Sequence, residues 1–123
     1  MRFSLFILLL LFCIPAWTVE ITIVRQNHLG FKKIDILQKE NKKYTLNGQV
    51  LSTTLPAPVL KSWEALENQK AFDQTARNCA AGFFNFEKRT ATGTEKWSGC
   101  TAGSQYGNLI RNLETIRHHA RGN

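Results

Sequence analysis

Residues 79–100 read CAAGFFNFEKRTATGTEKWSGC, and this stretch decides which fold the chain adopts. The runs on either side, Cys79 to Arg89 and Thr94 to Cys100, have the aromatic and polar residues typical of β-strands. Between them, the glycine-bearing segment of residues 90–93 (TATG) is typical of a hairpin loop. The stretch therefore predicts two antiparallel strands joined by a loop of about four residues.

The register of this hairpin follows from its midpoint, which we expect near residue 89 or 90. This register places Cys79 opposite Cys100 and Trp97 opposite Gly82. The same face as Trp97 carries two phenylalanines, Phe84 and Phe86. Because an aromatic ring packs well beside a glycine and two other rings, we expect this face to belong to the core.

The first eighteen residues have the order of a secretory signal peptide: Met-Arg, an apolar block from Phe3 to Ile14, and then Pro15-Ala16-Trp17-Thr18. As a helix the apolar block spans only about 18 Å, whereas the hydrocarbon core of a membrane is about 30 Å thick. A signal peptide over residues 1–18 is therefore predicted rather than a membrane anchor, with cleavage after Ala16 or Thr18. We expect residues 19–123 to form a single domain in a secreted or periplasmic location.

Two cysteines, Cys79 and Cys100, remain in the chain after residue 18. An oxidising compartment favours their pairing, and a disulfide that closes a loop of about 22 residues stabilises a fold by roughly 3 kcal/mol. The alternatives are a free reactive thiol or half of a metal site, but neither cysteine has another one close to it in sequence. We therefore predict one disulfide bond between Cys79 and Cys100.

The composition is that of a small basic globular domain. The chain has 123 residues, 43% of them hydrophobic and 20% charged, which argues against a disordered tail, a collagen-like repeat or a coiled coil. It contains 16 Lys and Arg against 9 Asp and Glu, so the formal net charge is +7. A charge of this sign favours anionic partners.

Further strands are predicted before the hairpin. Val19 to Arg25 alternates between apolar and polar residues, which is the pattern of a half-buried strand. Phe31 to Gln38 predicts a second strand, in which Ile34 and Ile36 share a face. A short third strand is expected at Lys43 to Leu46. The first two strands are joined by turn residues and predict another hairpin.

Two amphipathic helices complete the expected fold. Pro58 begins a stretch in which Val59, Trp63 and Leu66 recur at helical spacing, which predicts a helix to about residue 70. Ser104 is a suitable N-cap for a second helix, whose apolar stripe consists of Tyr106, Leu109, Ile110, Leu113 and Ile116. The order ββ(β)αββα predicts an α+β fold: an antiparallel sheet of four to five strands packed by two helices, with one disulfide.

The sequence contains no catalytic motif. No serine lies in a GxSxG pattern, and no glycine loop is followed by the lysine of a P-loop. His118 and His119 are adjacent, so on a helix they point about 100° apart, whereas two ligands of one metal ion need a spacing of three or four residues. The segment Arg117 to Arg121 therefore indicates a solvated cationic helix end rather than a metal site. Glu87 and Glu95 form either a glycosidase-like pair or part of a cross-strand charge ladder. We predict no catalytic residue, metal or cofactor, and keep a small hydrolase as the alternative.

Lysines concentrate around the second predicted strand: Lys32, Lys33, Lys39, Lys42 and Lys43. Such a group either steers an anionic partner or protects an edge strand against aggregation. Because recognition residues often lie in loops on a rigid scaffold, we expect contacts from the two hairpin loops, residues 27–30 and 90–93. The candidate binding residues are Asn27, His28, Lys32, Lys33, Lys43 and Thr92.

The order of these segments resembles emfourin, a small bacterial inhibitor of thermolysin-like metalloproteases. The resemblance rests on VEITIVRQNHLGFKKIDI, the helix started by proline, FFNFEKRTATGTEKW and the closing helix, and it covers nearly all of residues 19–123. The chain departs from emfourin in carrying an export signal and a cysteine pair. The resemblance implies a protein that binds a protease without catalysing a reaction. Together with the signal peptide, it predicts an exported, non-catalytic binding module that inhibits an enzyme such as a protease. The alternative is a basic module that binds anionic polymers or envelope surfaces.

Overall fold

The computed structural model describes residues 18–51, 54–70 and 79–121, so the predicted signal peptide lies outside the described residues apart from Thr18. The elements are β1 (Val19–Asn27), β2 (Lys32–Glu40), β3 (Lys43–Leu46), β4 (Gln49–Val50), α1 (Ala57–Glu67), β5 (Gly82–Thr90), β6 (Gly93–Cys100) and α2 (Ser104–Arg121). The α+β class and both helices are confirmed. The sheet has six strands, one more than the expected maximum, because β4 turns back to pair with β3.

The strands form one antiparallel sheet in the order β4-β3-β2-β1-β5-β6. β1 joins the two predicted hairpins, because it pairs with β2 on one side and with β5 on the other. The β1–β5 ladder runs from Glu20 opposite Arg89 to Asn27 opposite Gly82. The β1–β2 loop and the β5–β6 turn therefore lie at opposite ends of the sheet.

The core lies between one face of the sheet and the two helices. Phe86 and Trp97 stack there with ring centroids 4.9 Å apart, and Tyr44 meets Trp63 edge to face at 4.8 Å. The core side chains with 1% exposure or less are Ile21, Ile23, Leu37, Trp63, Leu66, Phe84, Phe86, Leu109, Leu113 and Ile116. Full burial of such a side chain contributes about 1.5–3 kcal/mol, so this layer supplies most of the stability.

The β5–β6 register differs from the expected one. Thr90 pairs with Gly93 across a turn of two residues, so Trp97 lies opposite Phe86 rather than Gly82, and Cys100 lies opposite Phe83. Two-residue turns match the twist of paired strands, which favours this shorter connection. The face of Trp97 was nevertheless predicted correctly, because a shift by an even number of residues keeps every side chain on its side.

The Cys79–Cys100 disulfide is confirmed, although its geometry differs from the expected strand pair. Cys79 precedes β5 and reaches the last residue of β6 from a loop, with the two Cα atoms 5.1 Å apart. The bridge therefore ties the entry of β5 to the exit of β6. It closes one end of the sheet at the point where the chain continues into α2.

Ile34 and Ile36 share a face as predicted, but it is the face without helices. They are 49% and 37% exposed, whereas Asp35 and Leu37 between and after them are buried at 1% and 0%. The pairing with β1 sets this orientation, because Ile36 lies opposite Thr22 on the side away from Ile21 and Ile23. A carboxylate therefore takes a core-facing position in β2.

The helices agree closely with their predicted patterns. α1 has Pro58 in its first turn and ends at Glu67, three residues before the expected end, where the N–H of Asn68 donates to the carbonyl of Glu64 at 2.9 Å. α2 begins at Ser104, and its apolar stripe faces the core. Within the described ranges, neither helix is long and apolar enough to cross a membrane.

Candidate functional site

The predicted binding residues divide between the two ends of the sheet. Asn27, His28, Lys32 and Lys33 belong to the end that also carries the disulfide and the start of α2, which we call the disulfide end. Lys43 and Thr92 lie at the opposite end. β1 has nine residues, which places the two ends roughly 26 Å apart at about 3.3 Å per residue. The fold therefore does not bring the two hairpin loops together.

The β1–β2 loop is held in one shape by its own hydrogen bonds. The side-chain Oδ1 of Asn27 accepts the backbone N–H groups of Leu29 and Phe31, both at 3.0 Å. The carbonyl of Asn27 also accepts the N–H of Gly30 at 3.0 Å, and Gly30 has a positive φ of 87°. The side-chain oxygen of Asn27, one of the predicted binding residues, thus shapes the loop.

This loop presents two large apolar side chains to solvent. Leu29 is 69% exposed and Phe31 is 71% exposed, the highest values among the large hydrophobic residues of the described chain. The backbone N–H groups of both residues donate to the side chain of Asn27, which holds them in the loop. The turn residues were predicted from the sequence, but the exposure of these two side chains was not.

A cleft of about 440 Å³ lies beside the loop at the disulfide end. Three cationic side chains line it: Arg25, Lys32 and Lys33. Phe31 and Tyr106 supply aromatic surface, and Gln26, Asn27, Ala81 and Thr101 complete the wall. Among the described residues, neither lysine forms an ion pair with a carboxylate. The cleft is therefore a recess lined by cationic side chains together with aromatic surface.

An ionic cluster centred on the buried Asp35 shares Arg25 with the cleft. Asp35 forms ion pairs with two arginines, one at each carboxylate oxygen. Nη2 of Arg25 lies 3.0 Å from Oδ2, and Nη2 of Arg117 lies 2.7 Å from Oδ1. The side-chain amide of Asn47 donates to the same carboxylate at 3.1 Å. Glu114 pairs with Arg117 from the preceding turn of α2. We call Arg25, Asp35, Asn47, Glu114 and Arg117 the Asp35 cluster.

The prediction that Arg117 belongs to a solvated helix end is wrong. Its side chain is only 10% exposed, because it follows Ile116 on the core-facing side of α2 and points to Asp35 of β2. His118 next to it is exposed, in agreement with the expectation for a helix end. The cluster thus links the C-terminal half of α2 to the centre of the sheet.

The ion pairs of Asp35 determine its protonation. Burial alone would raise the pKa of its carboxyl, because the charged form loses solvation. The hydrogen bonds from Arg117 and Asn47 and the positive charge of Arg117 outweigh this effect, and Arg25 adds to them. The pKa of Asp35 is therefore lowered from its ordinary value, and the carboxylate stays charged in the folded protein.

Acid is expected to destabilise the fold through Asp35. Since the folded pKa lies below the ordinary value of 3.8, the unfolded chain binds the proton more tightly. The contribution of Asp35 is complete above about pH 5 and is lost as the pH falls through the lower folded pKa. Denaturant unfolding between about pH 6 and pH 2 measures this loss, and Asp35→Asn serves as the reference. An equal pH dependence in both proteins would contradict the assignment to Asp35.

Glu87 and Glu95, the candidate acid pair of the sequence, take part in a charge ladder. Glu95 pairs with Lys88 at 3.4 Å across the β5–β6 hairpin, and Glu87 pairs with Arg89 at 3.3 Å on the same strand. Because Glu95 lies opposite Lys88 rather than Glu87, the two carboxylates point to different faces of the hairpin. Within residues 18–51, 54–70 and 79–121, no group of three His, Cys, Asp or Glu side chains is placed to hold a metal ion.

The residues that build the cleft were only partly visible in the sequence. Lys32, Lys33 and Asn27 were named from their place near a turn, whereas Arg25 was read as part of a strand pattern and Tyr106 as a core position of the last helix. The structure brings all five to one recess. Comparison of the chain with protein families, with curated proteins and with solved structures finds no match.

Proposed function

We propose that this chain is an exported, non-catalytic binding module that binds another protein through the disulfide end of its sheet. In this role it inhibits an enzyme such as a secreted protease. The observation that carries the proposal is the exposure of Leu29 and Phe31 on a hydrogen-bonded loop. Exposed apolar side chains of this size are unfavourable in water, and a protein partner that covers them regains that free energy.

The fixed shape of the loop favours tight binding. A loop that is already ordered loses little conformational entropy when it binds, so more of the contact energy appears as affinity. The aromatic side chain of Phe31 suits the centre of an interface, where a few buried anchors carry most of the binding energy. The nearby cations Lys32 and Lys33 suit its rim. These features together fit a partner with an apolar recess bordered by acidic groups.

The division of the lysines weighs against a surface for anionic polymers. Lys32 and Lys33 lie at the disulfide end, whereas Lys42 and Lys43 lie at the β2–β3 turn at the other end. Lys39 contacts Glu67 at 3.6 Å and lies 5.7 Å from the ring centroid of Tyr44. An extended polymer needs a continuous track of positive charge. A compact protein partner needs positive charge at only one end of the sheet.

The proposal predicts stoichiometric inhibition of a secreted protease. The oxidised protein is titrated against a panel of secreted proteases that includes a thermolysin-like metalloprotease, and activity is expected to fall linearly to an end point at equimolar inhibitor. The double variant Leu29→Ser/Phe31→Ser is expected to weaken binding about 100-fold or more, since two anchors are lost. Complex formation is measured independently by size-exclusion chromatography.

A matched control separates the loop from exposed apolar residues in general. Val50 in β4 is 53% exposed and lies outside the disulfide end, so Val50→Ser is expected to leave inhibition unchanged. Equal inhibition by wild type and by the Leu29→Ser/Phe31→Ser protein would contradict the proposed surface. Salt-sensitive binding to heparin or to anionic vesicles, without binding to any protease of the panel, would favour the polymer-binding alternative instead.

A further inference from the structure

We infer that the cleft at the disulfide end takes an acidic side chain of the bound protein, an Asp or Glu carboxylate that lies next to an apolar residue. This inference rests on the proposed function, because it names what the partner places against the same surface. It concerns the recess itself, lined by Arg25, Lys33 and Tyr106, rather than the tip of the loop.

The first argument is an unbalanced pair of cations. Arg25 and Lys33 lie directly opposite each other on β1 and β2, and like charges in this position are unfavourable. The nearest carboxylate on that face is Asp35, which Arg117 also engages at 2.7 Å. Glu114 pairs with Arg117 as well, so two carboxylates balance the two guanidinium groups, and Lys33 is the cation that has no ion pair with a carboxylate among the described residues. An incoming anion would relieve the repulsion that remains between Arg25 and Lys33.

The second argument is the position of Arg25. Its side chain is held in place by Asp35, with Nη2 to Oδ2 at 3.0 Å, and 16% of it stays exposed. Because Arg25 lines the cleft, the exposed part of its guanidinium is available to a ligand there, and a carboxylate is a strong partner for it. The Asp35 cluster keeps this guanidinium fixed before any ligand arrives, which lowers the entropy cost of recognition.

The third argument concerns the class of anion. Tyr106 packs against Phe84, with ring centroids 5.3 Å apart, and both Tyr106 and Phe31 line the cleft. An acidic residue beside an apolar one in a protein segment matches a recess that is lined by both cations and aromatic rings. A phosphate backbone would use the charges but leave the aromatic rings unused, and the next lysines lie at the far end of the sheet.

A titration with a minimal ligand tests the inference without a partner protein. Amide signals of the oxidised, ¹⁵N-labelled chain are followed by NMR while N-acetyl-Glu-Leu-amide is added, with N-acetyl-Gln-Leu-amide as the uncharged control. We expect saturable shifts at Gln26, Lys33 and Thr101, and at least tenfold weaker binding of the glutamine peptide. Inorganic phosphate is titrated in parallel, and we expect it to bind at least tenfold more weakly than the glutamate peptide.

Charge-reversal variants locate the site. Lys33→Glu supplies a carboxylate opposite Arg25 from within the chain, so it is expected to weaken binding of the glutamate peptide at least tenfold, with Lys33→Gln intermediate. Lys43→Glu makes the same charge change at the other end of the sheet and is expected to leave the affinity within twofold. Lys33 is exposed, so these variants are expected to fold, which the dispersion of their NMR spectra checks.

Several outcomes would overturn the inference. These are the absence of saturable shifts, equal binding of the glutamine peptide, equal affinity in Lys33→Glu, or phosphate binding as tight as that of the glutamate peptide. The proposed function fails separately. If the peptide does not bind but the Leu29→Ser/Phe31→Ser protein still fails to bind the protease, only the assignment of the cleft is wrong. If the peptide binds but no protease of the panel does, the assignment of the cleft stands and the proposed function is wrong.

Discussion

Asp35→Asn is expected to lower the free energy of unfolding by about 3–5 kcal/mol, which is a large share of the stability of a domain this small. The asparagine side chain has nearly the same shape, so the change removes the negative charge without leaving a cavity. Arg25, 16% exposed, then loses its counter-ion in the cluster, and Arg117, 10% exposed, keeps only its pair with Glu114. Uncompensated buried charge is the cause of the loss.

Chemical denaturation near neutral pH measures this effect, with a surface ion pair as the control. Glu95 is 62% exposed and pairs with Lys88, so Glu95→Gln is expected to change the unfolding free energy by less than about 1 kcal/mol. A similar small change for Asp35→Asn would contradict the view that the Asp35 cluster is a buried, mutually dependent group. The variant is also expected to weaken peptide binding at the cleft, because Arg25 loses the partner that positions it.

The buried carboxylate shows where a local pattern is insufficient. In β1 the alternation of apolar and polar residues correctly identifies Ile21 and Ile23 as core positions. In β2 the same rule favours Ile34 and Ile36 over Asp35, but the structure buries Asp35. The reason is non-local: its counter-charges come from β1 and from α2 near the other end of the chain, which no window along β2 can contain.

The β5–β6 hairpin shows a different limit. Residues 79–100 correctly predict its strands, its core face and its disulfide. They do not predict which residues of the two strands lie opposite each other, because residues 90–93 are compatible with both a four-residue loop and a two-residue turn. The face on which each side chain lies was nevertheless predicted correctly, because the expected and observed registers differ by an even number of residues. The candidate site was half predicted for a similar reason: turn chemistry marks Asn27 and its neighbours, but only the fold places Tyr106 beside them.

Gly82→Ala is expected to cost about 3 kcal/mol or more, because it brings together backbone strain and a backbone clash. Gly82 has a φ of +131°, and a Cβ at this position would lie 2.3 Å from the carbonyl oxygen of Gln26 and 2.8 Å from the Cα of Asn27. Both atoms belong to the backbone of β1, so no side-chain rotation relieves the contact. The strain of such a conformation alone costs of the order of 1–3 kcal/mol for a residue with a Cβ.

The clash reaches the candidate site because Gly82 ends the β1–β5 ladder opposite Asn27. The carbonyl of Gly82 also accepts the backbone N–H of Thr101 at 3.0 Å and its hydroxyl at 3.1 Å, which ties the turn between β6 and α2 to β5. If β1 and β5 separate here, the loop that carries Leu29 and Phe31 loses its support. Gly82→Ala is therefore expected to weaken partner binding as well as stability.

Gly30→Ala separates strain from clash. Gly30 also has a positive φ, of 87°, but a Cβ there would meet nothing within 4 Å, so its substitution is expected to cost only about 1 kcal/mol. Denaturant unfolding of the two oxidised variants gives the difference directly, and hydrogen exchange at Gln26 and Thr101 shows whether the disulfide end opens locally. Equal losses for both substitutions would contradict the assignment of the larger cost at Gly82 to the close approach of β5 to β1.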